Sequence, residues 1–269
     1  MIDYQGEKEI INLRSDTSTL PTQEMLEAMA RAKFGDDCYR EDPTVEALEV
    51  KAAQITHKQA GLYVPSGTMG NLIALMVHCE DSNNFIVDEK AHVLKSEKNG
   101  FEKVARLKAE TVPVGPEVVD VVSIKKKIDR LSNVNEKPTL AWIETSHNLS
   151  GGRVVPTEKI HELSELLRKH NISLHIDGAR VFNAALALDV TVDKITQHAD
   201  SVLFCLSKGL SCPVGSLLTG TVDFIDKARN IRKMLGGAMR QAGVIAAAGL
   251  VALDTMIDRL KEDHRKAGP

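Results

Sequence analysis

The chain has 269 residues, of which 43% are hydrophobic and 26% are charged, as expected for a water-soluble globular protein built around one large domain. The formal net charge of −3, with both signs interspersed, provides no basic surface for nucleic acid. No apolar run approaches membrane-spanning length and the polar N-terminus has no apolar signal region, so the sequence predicts a cytoplasmic protein with neither a membrane nor a nucleic-acid partner.

Helical patterns and short apolar runs alternate from about residue 44 onward. The first predicted helix spans 44–57, with Asp42 as its N-cap and Pro43 in its first turn. Short apolar runs bounded by turn residues predict buried strands at 85–87, 140–144, 173–177, 201–206 and 215–219. Two more helices are predicted at 157–170 and 239–266, the second ended by Gly268 and Pro269. This order predicts an α/β fold, with helices on both faces of a mostly parallel sheet.

Two of the predicted strands lead into residues that a cofactor site requires. The strand at 173–177 ends in Asp177, and the strand at 201–206 is followed by Lys208. Ligand-binding groups gather at the carboxyl ends of strands in parallel sheets. Pyridoxal 5'-phosphate (PLP) needs a lysine amine for covalent attachment and a carboxylate beside its pyridine nitrogen. The pair therefore predicts a PLP site, although each residue alone is more often a solvated turn or strand cap.

Three further features bear on this predicted PLP site: a possible phosphate-binding helix N-terminus, two histidines and the four cysteines. Glycines and hydroxyls at 65–71 precede an apolar helical run to His78, and a helix N-terminus of this kind binds anions such as phosphate. His92 and His147 follow predicted strands, where each is either a site residue or a hydrogen-bonded structural histidine. The four cysteines lack metal-type spacing, so no metal ligand is assigned, and a bound cation stays open.

These motifs resemble those of low-specificity L-threonine aldolases, in the β-eliminating lyase group of PLP enzymes with the aspartate-aminotransferase fold (fold type I). The resemblance runs from residue 11 to about 265. It rests on ordered blocks at 12–17, 39–44, 65–71, 144–148, 150–156, 175–180, 204–209 and 234–241. Thr145 stands where the family usually has asparagine, which we expect to be a minor change.

The resemblance implies a role for each matching residue. For the cofactor, Lys208 holds PLP covalently, Asp177 pairs with the pyridine nitrogen, His92 stacks on the ring, and Gly67 and Thr68 bind the phosphate. For the substrate, Ser15 and Arg180 bind the carboxylate and His147 lies near the hydroxyl. Lys233 and Arg240 contact phosphate, in this or a neighbouring subunit. The implied reaction is cleavage of L-threonine or L-allo-threonine, which are small β-hydroxy-α-amino acids, to glycine and an aldehyde by a homodimer or homotetramer. The group that accepts the hydroxyl proton is left open between His147, His92 and a bound water.

The resemblance also predicts how the chain is organised. Residues 1–269 correspond to the PLP-binding large domain with the N-terminal segment and the start of the connecting helix. The family's small C-terminal domain, which supplies another arginine to the substrate, is expected to be absent. We therefore expect normal or weakened PLP binding and reduced aldolase activity. The alternatives are a weakly active or non-catalytic fragment, or another PLP-dependent lyase or racemase. A nicotinamide dehydrogenase is disfavoured because no G-x-G-x-x-G follows the first predicted strand.

Overall fold

The structure is a computed structural model that describes residues 12–115 and 117–268. The polar N-terminal segment and the terminating Pro269, both used in the sequence predictions, lie outside the described residues. The strands are β1 (Ala60–Val64), β2 (Asn84–Asp88), β3 (Lys108–Val112), β4 (Leu140–Glu144), β5 (Ser173–Asp177), β6 (Ser201–Cys205) and β7 (Ser216–Gly220). The helices are α1 (Gln23–Arg31), α2 (Pro43–Ile55), α3 (Gly67–His78), α4 (His92–Lys95), α5 (Gly100–Lys103), α6 (Val121–Asn133), α7 (Thr157–Arg168), α8 (Val181–Leu188), α9 (Val192–Thr196), α10 (Val222–Met234) and α11 (Gly243–Ala267).

The described strands form one mixed sheet in the order β1-β7-β6-β5-β4-β2-β3. Strands β2 to β6 pair in parallel where they are neighbours, whereas β7 pairs antiparallel with both β6 and β1. The expected α/β fold with a mostly parallel sheet is therefore confirmed. The predicted strands at 140–144 and 173–177 coincide with β4 and β5, whereas the edge strands β1 and β3 were not predicted.

Residues along the central strands alternate between two hydrophobic clusters, one on each face of the sheet. In β4, Ala141 and Ile143 belong to one cluster while Leu140 and Trp142 belong to the other. Side chains in a strand point alternately to opposite faces. Because helices cover both faces, both sets of side chains are apolar, which explains the nearly continuous apolar runs in the sequence.

The reversed direction of β7 follows from its short connection to β6. Parallel neighbours need a crossover connection of a dozen or more residues, which the segment at 206–215 is too short to supply. Gly215 completes this turn with a φ of 105°, and a Cβ atom there would lie 2.4 Å from the ring of Tyr63. Glycine is therefore required both for the backbone conformation and for the contact. The connection carries Lys208 and holds it at the end of the sheet.

One carboxylate caps the beginnings of two helices. Oδ1 of Asp42 accepts hydrogen bonds from the backbone N–H groups of Thr44 and Val45 in α2, and its Oδ2 accepts one from Gly243 in α11. The predicted start of the last helix at residue 239 was therefore wrong by four residues. Residues 239–242, which were predicted to be helical, belong to the loop before α11. This loop forms hydrogen bonds with the segment before α2; for example, the Asp37 N–H donates to the Arg240 carbonyl. No helix in the described ranges is both long enough and apolar enough to cross a membrane.

Candidate active site

A cavity of about 330 Å³ lies at the carboxyl ends of the parallel strands. Its walls come from the connection after β6, the beginning of α3, the segment after β2 and the residues before α1. The lining residues are Thr17, Thr19, Gly67, Thr68, Asn71, His92, Glu97, Asp177, Ala179, Leu203, Cys205, Ser207, Lys208, Cys212 and Pro213. The cavity thus brings together five of the residues predicted from the sequence: Gly67, Thr68, His92, Asp177 and Lys208.

Lys208 lies in the connection between β6 and β7, and its backbone is fixed on two sides. Its carbonyl accepts hydrogen bonds from the Thr19 hydroxyl at 2.7 Å and from the Ser211 N–H at 2.8 Å. The side chain lines the cavity close to the thiol of Cys205. Burial raises the pKa of this thiol, and the neighbouring Lys208 charge partly offsets that effect. The amine therefore lies within the cavity on a backbone that has little freedom to move.

Asp177 ends β5 and faces the cavity from the centre of the sheet. Its side chain is buried, yet both carboxylate oxygens have donors. Oδ1 accepts from the Ala179 N–H at 3.1 Å, and Oδ2 accepts from the Asn71 side-chain nitrogen at 2.9 Å. Buried carboxylates are tolerated when such hydrogen bonds replace water. The arrangement presents a fixed acidic group to whatever occupies the cavity.

The N-terminus of α3 forms an anion-binding site, in contrast to the negatively charged group that Asp177 provides. The Ser66 hydroxyl caps the helix by accepting from the Met69 N–H, while the N–H groups of Gly67 and Thr68 have no acceptor within residues 12–115 and 117–268. Such free donors and the helix dipole favour a phosphate. A Cβ atom on Gly67 would lie 2.9 Å from Sγ of Cys205, so a larger residue would push into the cavity wall.

His92 is the first residue of α4 and lines the cavity with a partly exposed ring. Its backbone N–H donates to Oε2 of Glu144 at 2.7 Å, and its Nδ1 atom lies 2.8 Å from Oε1 of Glu97. This bond to Glu97 raises the pKa of the imidazole, an effect that burial partly opposes. Glu97 therefore orients the ring while Glu144 holds the backbone, and neither acidic residue was assigned a role in the sequence analysis.

His147 is buried and lies outside the lining of this cavity. Its Nε2 atom lies 3.1 Å from Oδ1 of Asp88. Burial disfavours the charged ring, but the bond to Asp88 together with the negative charges of Glu144 and Asp88 raises the pKa of His147. Contact between His147 and a substrate hydroxyl therefore stays a prediction, and the structure instead shows a buried histidine–aspartate pair behind the site.

Arg180 and Ser15 lie beside the cavity and do not line it. Nε and Nη2 of Arg180 donate to the two carboxylate oxygens of Asp16 at 2.8 and 2.7 Å. Ser15 is exposed, and its hydroxyl accepts from the Thr17 N–H. The guanidinium thus already holds a carboxylate in the two-pronged geometry that a carboxylate substrate requires.

Lys233 and Arg240 are exposed and lie outside this cavity. Lys233 is near the end of α10, and Arg240 follows in the loop before α11, where its Nη1 donates to Oδ2 of Asp36 at 2.9 Å. The expectation that they contact a phosphate in a neighbouring subunit is not tested by one chain. Neither side chain lines the cavity of its own chain, so their contact with phosphate stays a prediction.

Several lining residues were missed in the sequence analysis. Asn71 and Glu97 form hydrogen bonds inside the site, but Asn71 was quoted only as the last residue of the block at 65–71, and Glu97 does not directly follow a predicted strand. Ser207 stands next to Lys208 and was only part of a quoted motif. Its position beside the predicted lysine was the one available signal.

A second cavity, of about 430 Å³, lies between α2 and α10. It contains the ion pair in which Nη2 of Arg229 donates to Oε2 of Glu49 at 2.6 Å, but it contains no lysine–aspartate pair at strand ends. Glu49 also accepts the backbone N–H of Tyr63 at 2.8 Å, and β1 is an edge strand of the sheet that the described residues form. These contacts protect the edge of the sheet, so we place the chemistry in the smaller cavity.

The donor set of the smaller cavity fits PLP. This cofactor requires an amine for attachment, an acidic partner for its ring nitrogen and an anion site for its phosphate. Lys208 provides the amine, Asp177 the carboxylate, and the beginning of α3 the free N–H donors. No additional residue has to be introduced to satisfy these requirements.

Comparison with known proteins agrees with this geometry. The beta-eliminating lyase family matches residues 12–269. The low specificity L-threonine aldolase of Escherichia coli K12 is 44% identical over 96% of this chain and 77% of its own length. An uncharacterised protein of Caenorhabditis elegans is 43% identical over 96% of this chain, which spans 62% of that relative. The structure of a Leishmania major threonine aldolase superimposes with a TM-score of 0.79 at 20% identity, over 91% of this chain and 73% of the other, which supports the fold.

Proposed function

Since this chain belongs to the beta-eliminating lyase family, we propose that it is a PLP-dependent aldehyde-lyase that cleaves L-threonine or L-allo-threonine to glycine and an aldehyde. The observation that carries the proposal is the cavity in which Lys208, Asp177 and His92 lie together with the N-terminus of α3. The name of the E. coli relative supports the substrate class.

The residues that would hold the cofactor have separate tasks. Bound PLP supplies an electron sink for the electrons of the substrate bond that breaks. Lys208 provides the amine for attachment, and the N–H groups of Gly67 and Thr68 bind the phosphate. Asp177 is held by the Ala179 N–H and the Asn71 amide and would provide the negative charge that the ring nitrogen of bound PLP requires.

Arg180 and His92 would act on the substrate. The guanidinium of Arg180 binds the substrate carboxylate, as it binds Asp16 in this structure. His92 lines the cavity and His147 does not, so we assign the proton of the substrate hydroxyl to His92. The bond from Glu97 raises the pKa of His92, which improves its ability to accept that proton.

The same proposal places Lys233 and Arg240 at the cavity of a neighbouring subunit in a homo-oligomer. Both side chains are exposed and lie outside their own cavity. Two exposed cations on adjacent segments provide suitable contacts for a phosphate. A symmetric dimer would let each chain supply them to the other.

A second candidate reaction is β-elimination, which the name of the family favours. The same lysine, carboxylate and anion site support it, because both reactions send electrons into the same ring. The products separate the two reactions. Aldol cleavage releases glycine and an aldehyde, whereas elimination releases a keto acid and ammonia.

The first experiment measures the visible absorption spectrum of the purified chain with PLP, before and after borohydride, beside the variant Lys208→Ala. We expect an absorption band that borohydride removes, and no such band in a folded Lys208→Ala protein. Glycine and aldehyde should then form from L-threonine in the unsubstituted protein alone. A folded protein that shows no such band, or a band that persists in Lys208→Ala, would contradict the proposal.

A further inference from the structure

Glu97 lies inside the cavity wall, although no strand or helix of the site carries it. It is in the turn between α4 and α5, and its side chain is only 4% exposed. One oxygen, Oε1, accepts two hydrogen bonds: one from the ring of His92 and one from the side-chain nitrogen of Asn71, each at 2.8 Å. A carboxylate this deeply buried requires such donors, so it is tied to both partners.

The amide nitrogen of Asn71 joins Glu97 to Asp177. It donates to Oε1 of Glu97 at 2.8 Å and to Oδ2 of Asp177 at 2.9 Å. Asn71 is itself buried in α3, the helix whose beginning forms the anion site. Both hydrogens of one nitrogen therefore hold two carboxylates apart at a fixed separation. His92, Glu97, Asn71 and Asp177 form a continuous chain of hydrogen bonds along one wall of the cavity.

The backbone after Glu97 fixes the direction of its side chain. Lys98 and Asn99 both adopt left-handed conformations, with φ values of 55° and 60°. The Gly100 N–H closes the turn by donating to the Glu97 carbonyl at 3.2 Å. Two consecutive non-glycine residues in this conformation are uncommon, and such geometry persists where the surrounding structure holds it in place.

We infer that Glu97 is a positioning residue of this site, which holds the ring of His92 directly and the carboxylate of Asp177 through Asn71. The inference rests on the proposed function, because both oriented groups would contact the cofactor. No reacting atom touches Glu97 in this scheme. Its effect on the reaction passes through His92 and Asp177.

The contact with Glu97 determines which nitrogen of His92 carries the proton. Burial and the charge of Asp177 raise the pKa of Glu97, whereas the bond to His92 opposes that rise. When Glu97 is ionised it only accepts hydrogen bonds, so Nδ1 of His92 carries the proton and Nε2 is the basic nitrogen. The acidic groups that face the ring are Glu97, Asp177 from β5 and Glu144 from β4, and all three favour the charged ring. Removing the charge of Glu97 therefore weakens the basicity of His92 while leaving the other two groups in place.

Two variants separate charge from position. Glu97→Gln keeps the shape and an oxygen acceptor but removes the charge, whereas Glu97→Ala removes both hydrogen bonds. Glu102→Gln is the matched control, because Glu102 is an exposed glutamate five residues further along the chain. Each full-length protein is studied with and without PLP, by nuclear magnetic resonance titration of the His92 ring and by the affinity for PLP.

In Glu97→Gln we expect the titration midpoint of His92 to fall by about one pH unit, the usual effect of losing a close opposite charge. In Glu97→Ala we expect PLP affinity to fall about tenfold, as for loss of a hydrogen bond to a charged group. Glu102→Gln should leave both quantities unchanged. The NMR titration of the cofactor-free protein detects the contact even if no lysine-bound cofactor band ever forms, which separates this inference from the proposed function.

An unchanged His92 midpoint in Glu97→Gln would overturn the inference, as would a control that shifts equally. If Glu97→Ala does not fold, Glu97→Gln decides the outcome because it occupies the same volume. Loss of folding in both variants would make Glu97 a stability residue and would also overturn the positioning role.

Discussion

Arg180 holds Asp16 through two parallel hydrogen bonds, from Nε at 2.8 Å and from Nη2 at 2.7 Å, although 164 positions separate the two residues. Burial raises the pKa of Asp16, but the bonds to Arg180 and the charge of Lys208 outweigh this and lower it. The residues around Asp16 are thereby held beside the cavity that Lys208 lines. This ion pair shows that the guanidinium is oriented to hold a carboxylate beside the cavity.

The first prediction concerns the two parallel hydrogen bonds that Arg180 donates. Arg180→Lys keeps the positive charge but cannot form two parallel bonds, so we expect KM for L-threonine to rise about tenfold, the value of one charge-assisted hydrogen bond. Steady-state kinetics would measure the change. Arg168→Lys, at an exposed position on α7, is the control and should behave as the unsubstituted protein. An unaltered KM in Arg180→Lys would remove Arg180 from substrate binding.

The second prediction tests the anion site. In Gly67→Ala the new Cβ atom would lie 2.9 Å from Sγ of Cys205, so the beginning of α3 or the Cys205 side chain must shift. We expect the dissociation constant for PLP to rise at least about tenfold, because displaced N–H donors bind phosphate less well. In Gly100→Ala the nearest atom is 3.8 Å away, so that variant serves as a control. Equal PLP affinity in both variants would argue against a phosphate at this helix.

The third prediction compares the two histidines. His92→Asn should lower kcat by about a hundredfold, the usual contribution of a group that transfers a proton. His147→Asn should mainly lower the melting temperature, because the buried Asp88 loses its hydrogen bond to the imidazole and keeps only the one from the Lys90 N–H. Kinetics and thermal unfolding of both variants provide the measurement. A larger fall in kcat for His147→Asn than for His92→Asn would reverse the assignment of the proton acceptor.

The fourth prediction concerns acid stability at the opposite end of the sheet. His78 and His175 both bond to the hydroxyl of Ser201, at 2.6 and 2.7 Å. Burial lowers the pKa of His78 to about 4 and that of His175 well below its usual range. The unfolded chain binds these protons near pH 6.5, so their contribution to stability is complete above that pH and is lost as the pH falls toward 4.

Urea unfolding should show this loss. Between about pH 7 and pH 5 we expect the free energy of unfolding to fall by about 2 kcal/mol from His78 alone. His78→Gln should show a shallower dependence on pH, whereas His170→Gln, at an exposed position, should not. A dependence that is equally steep in His78→Gln would show that other groups control acid unfolding.

The fifth prediction tests shared sites between subunits. If Arg240 serves a neighbouring cavity, each site of a dimer uses Lys208 from its own chain and Arg240 from the other chain. A hybrid dimer of one Lys208→Ala chain and one Arg240→Ala chain then has one site that carries both changes and one site that carries neither. Equal mixing of the two inactive proteins after unfolding and refolding should then restore about one quarter of the specific activity of a dimer. No recovery in mixtures shown to contain hybrids would place Arg240 in its own chain's site or outside any site.

Local sequence patterns determined the parts of this protein that depend on near neighbours in the chain. The strands β4 and β5, the Asp42 cap of α2 and the strand-end positions of Asp177 and Lys208 follow from short apolar runs and from capping chemistry. The PLP-binding roles proposed for Asp177 and Lys208 came from the chemistry of the lysine–aspartate pair and from the family resemblance. These properties are visible without knowing which strands are neighbours.

Only the tertiary structure decided which distant residues meet. The second cap that Asp42 provides to α11, the burial of His147 against Asp88, and the chain of hydrogen bonds through Glu97 and Asn71 all join segments far apart in sequence. Strand order and the packing of helices on the sheet create these contacts, and no local periodicity encodes them. The sequence therefore indicates the chemistry of the site, whereas the fold selects the partners that orient it.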